Sequence, residues 1–200
     1  MPSFASVLTS MACLLAVSNA LPHATPRAAS KCPAPGEQAR HAPSNLYNIF
    51  PKAPDVAKDS LGFHLETYQN ASRVEQVLVF TGIPANAKSC SVGWDQGDRT
   101  ERVFIVKGGD ALTGVKQLSG FPDNNKVTYN TIKPFDTAEN DLGGADFTNW
   151  DDLEPQGHTV GAIDCTDSIY LKAALRNPNG NTKVFLNQDD DNGVYISYTC

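Results

Sequence analysis

The chain has 200 residues, 40% of them hydrophobic and 19% charged, with a formal net charge of −6 at neutral pH. This is the composition of a folded domain, and about 150 ordered residues bury roughly 68–70% of the surface they expose when unfolded, enough for one core. An acidic surface repels phosphate, which excludes nucleic acid and anionic membranes as main partners.

The first twenty residues read as a secretory signal. Met11 to Val17 (MACLLAV) is a short apolar run, and Ser18-Asn19-Ala20 supplies the small residues that signal peptidase reads. The run is too short to span a bilayer, so the expectation is cleavage after Ala20, a secreted product and no membrane span. The segment before the apolar run lacks Lys and Arg, a mild departure from the usual signal. Residues 21–42, rich in Pro, Ala and charge without apolar period, read as a flexible linker. The domain is expected over 43–200.

A short strand is expected near Leu46–Phe50, ended by Pro51 and Pro54. Phe63 to Tyr68 alternates, with Phe63 and Leu65 inward and His64 and Glu66 outward. Gln76 to Lys107 is the centre of the pattern. Two unbroken apolar runs, Val77-Leu78-Val79-Phe80 and Val103-Phe104-Ile105-Val106, flank a turn-rich middle with a shorter strand at Ser89–Trp94. β-Branched and aromatic content marks both runs as strands, and the lack of alternation predicts that both faces of each are covered. Residues 111–126 are mixed, and Val127–Lys133 reads as a strand. Residues 134–157 form a long acidic excursion of the kind that is usually functional or mobile. Val160–Cys165 reads as a strand. Ile169, Leu171, Ala173 and Leu175 share one inward face, and Lys183–Asn187 is the next strand. Asp191-Asn192-Gly193 predicts a type I′ hairpin turn into a last strand with Val194, Ile196, Tyr198 and Cys200 on one face. Together these predict an all-β fold: an antiparallel β-sandwich of roughly eight to ten strands, its last part a meander.

Of five cysteines, Cys13 leaves with the signal. Cys32, Cys90, Cys165 and Cys200 then form an even set in an oxidising compartment, which predicts two disulfides. Four cysteines allow three pairings. Cys90–Cys165 is favoured because both lie on core strands, and Cys32–Cys200 because it pins the two ends of the domain. No C-x-x-C pair suggests a metal site. Asn70-Ala71-Ser72 is an N-glycosylation sequon at Asn70.

Several segments resemble a known family. Pro43-Ser44-Asn45-Leu46-Tyr47-Asn48-Ile49, Leu78-Val79-Phe80-Thr81-Gly82-Ile83-Pro84, Cys90-Ser91-Val92-Gly93-Trp94 and Tyr195-Ile196-Ser197-Tyr198-Thr199-Cys200 look like the fungal "But-two" C-terminal domain. Phe135-Asp136 and Gly144-Ala145-Asp146-Phe147 fit a secreted subgroup often labelled cell-wall proteins. The resemblance covers about 43–200 and implies a fungal, cell-wall-associated protein. Its motifs are structural and transfer no catalytic residue. The family's named partner, a cytosolic enzyme subunit, is out of reach of a secreted chain.

Candidate sites are few. Trp150, Asp151 and Asp152, with Trp94 and surface tyrosines such as Tyr170 and Tyr195, are the residues for a sugar-stacking platform. Asp151 and Asp152 also offer a carboxylate pair for glycoside hydrolysis, but adjacent side chains diverge in extended chain. Gln188-Asp189-Asp190-Asp191-Asn192-Gly193 lacks the alternation and final Glu of a calcium loop and reads as a plain turn. No G-x-S-x-G elbow or other catalytic motif is present, and no metal or cofactor is expected. The expectation is a secreted, non-enzymatic structural or surface-interaction protein whose partner is a cell-wall polysaccharide or an extracellular protein. The alternative is a glycan-binding module, and then a glycoside hydrolase.

Overall fold

A computed structural model describes residues 31–69, 71–123 and 126–200. The predicted signal, the first part of the linker and the sequon residue Asn70 lie outside the described residues. Among the described residues thirteen strands are formed: β1 (Ala39–His41), β2 (Asn45–Ile49), β3 (Lys58–Asp59), β4 (Gly62–Tyr68), β5 (Ser72–Thr81), β6 (Lys88–Gln96), β7 (Phe104–Lys107), β8 (Leu112–Gln117), β9 (Gly143–Asp146), β10 (Gln156–Ala162), β11 (Ser168–Leu175), β12 (Asn181–Asn187) and β13 (Gly193–Thr199). One short helix, α1 (Tyr129–Ile132), precedes β9.

The strands make an antiparallel sandwich. The smaller sheet has the order β1-β13-β6-β10; the larger, β7-β12-β4-β5-β11-β8-β9, is curled into a half-barrel, with β2 and β3 continuing from β5. Inward alternation is as expected on β11, where Ile169, Leu171, Ala173 and Leu175 are all buried, and on β13 for Val194, Ile196 and Tyr198. Where the sheets meet at one side, β9 runs against β10. A side-chain carbon on Gly161 would stand 2.7 Å from the Leu142 carbonyl oxygen, so this approach of backbone to backbone requires glycine. Both expected disulfides are present, Cys90–Cys165 and Cys32–Cys200. No helix among the described residues is long and apolar enough to cross a membrane.

Several expectations are corrected. The last part of the chain is not a meander: β11 pairs with β5 and β8, β12 with β4 and β7, and β13 with β6 and β1, so none of the three neighbours another. Residues 188–192 therefore carry the chain between sheets rather than around a hairpin. Only Gly193 has positive φ there, not Asn192, so no type I′ turn forms. Asp189 shapes the passage, its carboxylate accepting from the backbone N–H groups of Asp191 and Asn192.

Val127–Lys133 is not a strand. Thr128 and Thr131 cap each other, Thr131 N–H to Thr128 Oγ1 at 3.2 Å and Thr128 N–H to Thr131 Oγ1 at 2.9 Å, and this local bonding starts α1. The end of the presumed linker is also ordered. Ala39–His41 pairs with β13, Cys32 is tied to Cys200, and the buried Tyr198 hydroxyl donates to the Lys31 carbonyl.

The acidic excursion, finally, has structure of its own. It supplies β9, two single turns of 3-10 helix at Lys133–Phe135 and Trp150–Asp152, and Phe147, 1% exposed, which enters the core.

Two apolar clusters result. The main one fills the space between the sheets and includes Phe63, Leu65, Phe80, Trp94, Phe147, Leu171, Leu186 and Ile196. A second lies on the other face of β5, where Val77 and Val79 pack against Ile49, Leu118, Val127 and Ile132.

Candidate functional site

The residues singled out for sugar stacking come together, but not as a platform. Trp94 projects inward from β6 and is 2% exposed. Its ring lies parallel to His158 at 3.8 Å, meets Phe147 at 4.5 Å and takes Phe104 edge-on at 5.9 Å, so no face is open to a ligand. This corrects the surface reading of Trp94. Trp150 is half-buried and stands perpendicular to both Trp94 (6.2 Å) and His158 (4.2 Å). The Gln96 amide donates to the carbonyls of Trp150, Leu153 and Glu154, and Arg102 donates to those of Gly97, Asp151 and Leu153. That stitching pins the segment to the end of the sandwich.

Asp151 and Asp152 diverge as their adjacency demands. The Asp151 carboxylate accepts from the Val106 N–H at 2.8 Å, on the side of β7 that no strand pairs. Asp152 has an 85%-exposed side chain with one ion pair to Arg99 at 3.3 Å. They share no substrate-facing geometry, so the carboxylate-pair reading has no support from their placement. Tyr170 stacks on Phe121 at 4.8 Å in the second cluster, while Tyr195 lies on the smaller sheet. The two form no aromatic row.

A different polar site is built on the smaller sheet. Arg40 of β1 pairs with Asp95 of β6, and its guanidinium covers the Tyr195 ring at 4.5 Å. Tyr195 in turn lies flat over Gly93, where a side-chain carbon would meet the ring at 2.6 Å. These residues border a hollow of about 100 Å³ with Gln188, Asp189 and Asp191, which opens to a shallow groove of about 460 Å³ past Gln96, Asp98, Glu101 and Gln156. Asp95 is buried, and its Oδ1 has no hydrogen-bond partner among the described residues. Asp98 is held below the usual carboxylate range by hydrogen bonds from the Thr100 N–H and then its hydroxyl. Such a groove suits a neutral, hydroxyl-rich ligand better than an anion, because its lining carries four acids, Asp95, Asp98, Glu101 and Asp191, against the one cation Arg40.

A second polar cluster lies on the larger sheet. Lys172 of β11 reaches Asp136 Oδ2 at 2.6 Å and Glu75 Oε2 at 3.0 Å, and Arg73 holds Glu75 Oε1 at 2.7 Å. Burial alone would lower the Lys172 pKa; Glu75 and Asp136 outweigh it and hold the ammonium above its ordinary value. Among the described residues no three His, Cys, Asp or Glu side chains gather as metal ligands.

Compared with known proteins, the chain matches no family model and no curated relative. The sequence reading missed Arg40, placed in a linker, and Asp95. It also missed Glu75, Asp136 and Lys172 as a group. A signal existed for Glu75: it is a charge two residues before an apolar run, on the same period-2 face as Val77 and Val79, and so bound to be buried with a partner.

Proposed function

We propose that the chain is an exported, disulfide-locked, non-enzymatic protein of the extracellular space or cell wall, with a structural or surface-interaction role. One observation carries this reading. The two cystines fasten the start of the described chain to its last residue and a core strand to a loop, a stapling that persists in oxidising compartments. The resemblance of 43–200 to the fungal But-two domain adds the fungal and cell-wall part of the proposal. Expression through a secretory route tests it: the mature chain should begin at Leu21 and show no free thiol. Free thiols on Cys32, Cys90, Cys165 and Cys200 in protein from its native source would overturn it.

The second reading is a glycan-binding module, with the site moved from the Trp150 region to the Arg40–Asp95–Tyr195 groove. The groove that Arg40 and Asp95 share with Asp98, Glu101, Gln96 and Gln156 favours it, since those carboxylates and amides can bond an incoming hydroxyl. Retention on chitin, β-glucan or mannan that is lost in Arg40→Ala would establish it. No retention on any of the three removes it.

A further inference from the structure

Glu75, Asp136 and Lys172 meet in a setting that does more than neutralise charge. Their side chains are 3%, 18% and 15% exposed. Lys172 sits mid-strand, with β11 hydrogen-bonded to β5 on one side and β8 on the other. Asp136 follows the turn Lys133–Phe135, which is fastened by the Ser119 N–H and hydroxyl to the Phe135 carbonyl and by Lys116 Nζ to the Ala138 carbonyl. Both reacting groups are thus carried by hydrogen-bonded backbone. Nζ stands 2.6 Å from Asp136 Oδ2, in direct hydrogen-bond contact with the carboxyl group whose carbon it would attack, so no large movement is needed to bring the reacting atoms together.

We propose that Lys172 and Asp136 join in an intramolecular isopeptide bond, with Glu75 as proton carrier: a covalent modification that the folded chain performs on itself. Asp136 Oδ2 first takes one proton from the ammonium through the existing hydrogen bond, giving amine and carboxylic acid. The Nζ lone pair then adds to Asp136 Cγ. Glu75 Oε2 takes a second proton from the nitrogen and returns it to the departing hydroxyl. One C–N bond forms, one C–O bond breaks, one water leaves, and nothing is oxidised or reduced. The groove of about 230 Å³ lined by Lys172, Asp136, Arg73 and Arg176 is the exit for that water.

Three features favour this outcome over a permanent ion pair. Buried ions carry a desolvation penalty that a neutral amide does not. Asp136 Oδ1 is buried with no hydrogen-bond partner among the described residues, a costly state for a carboxylate oxygen and a milder one for an amide oxygen. Glu75 is anchored through Oε1 by Arg73, while its Oε2 is buried 3.0 Å from Nζ and accepts no hydrogen bond among the described residues, which leaves it open to take a proton. The resting state is the ion pair, so the bond forms after folding and at a rate set by proton transfer.

Peptide mapping of the folded full-length protein after prolonged incubation tests this. The expected product is one cross-linked peptide containing Asp136 and Lys172, lighter by one water (about 18 Da) than the sum of its parts. Trypsin should no longer cut after Lys172. Lys172→Arg should abolish the species, and Glu75→Gln should slow its appearance about 100-fold or more, the usual worth of a positioned proton carrier. Lys172 recovered free and at full mass from the folded wild-type protein overturns the proposal, with no dependence on whether a variant folds. A cross-link that forms as fast in folded Glu75→Gln overturns the role of Glu75.

Discussion

The runs Val77–Phe80 and Val103–Val106 look alike in sequence and meet opposite fates. On β5, Leu78 and Phe80 enter the main core while Val77 and Val79 are covered by the second cluster. On β7 only one face is covered. Phe104 and Val106 pack on the main core, whereas Val103 and Ile105 are 53% and 38% exposed. The cause is position: β5 is interior to the large sheet and β7 is its last strand, paired with β12 alone. An unbroken apolar run shows that neither face needs water; whether both faces are covered depends on what the rest of the chain brings. For β5 the cover comes from Leu118, Val127 and Ile132, some 40 to 55 positions away.

Breaking β5 on either face should therefore cost heavily. Phe80→Ala is expected to lose about 3–5 kcal/mol and Ile132→Ala about 2–4 kcal/mol, both as buried large-to-small changes. Denaturant unfolding measures both. If Ile132→Ala cost as little as a surface change, the second cluster would not be a true cover, and β5 and β7 would be equivalent after all.

β7 is held by a different device. Its free edge is short, ends in Lys107, and has the Val106 N–H bonded to the Asp151 carboxylate, all of which discourage pairing with another chain. Asp151→Ala should cost about 1–2 kcal/mol, as loss of a charged acceptor, and should speed exchange of the Val106 amide more than that of any amide on β5. An unchanged exchange rate at Val106 would show that Asp151 plays no part in closing the edge.

Much of this architecture was legible. Period-2 alternation fixed the inward faces of β4, β11 and β13, and the even set of cysteines beyond the first twenty residues gave two disulfides. The burial of Trp94 was legible too: Cys90, Val92 and Trp94 alternate as Ile169, Leu171 and Ala173 do, and all three are buried. Its reading as a surface aromatic set residue type above pattern. Partner choice was not legible. That β11, β12 and β13 avoid one another depends on loop 176–180 stepping past β5 and β4 within the large sheet and loop 188–192 passing to the other sheet, and no local rule distinguishes either path from a hairpin of that length. The groove joins Arg40 to Asp95, and the buried triad joins positions 75, 136 and 172. Such contacts exist only once the topology does.

The aromatic cluster beneath β7 has a pH signature that β5 lacks. Phe104 meets Trp94, and Trp94 stacks on His158, whose Nε2 is buried with no hydrogen-bond partner among the described residues. Burial holds His158 below its ordinary pKa. His64 of β4, facing Phe185 of β12, is also lowered, first by burial, then by Lys183, with Glu66 opposing. The unfolded chain binds protons at these sites below about pH 6.5 and the folded chain resists them. Their contribution is therefore present above pH 6.5 and is lost as pH falls through the lowered folded values. Between pH 7.5 and 5, His158→Phe should flatten the decline of the melting temperature relative to wild type. An identical decline would place the proton uptake elsewhere.

The smallest effect is expected at the exposed face of β7, and it sharpens the contrast most directly. Ile105 pairs across the ladder with Phe185, and both face outward. Ile105→Thr keeps β-branching and hence the strand preference. It removes apolar surface from a face that has little to lose, so the change in unfolding free energy should stay within about 0.5 kcal/mol. The same change one strand position away, Val106→Thr, places a hydroxyl against the main core and should cost clearly more. Equal costs at 105 and 106 would mean that the outer face of β7 is covered in solution, by a second copy or by another molecule. A concentration-dependent melting temperature that disappears in Ile105→Thr would identify the cover as the protein itself.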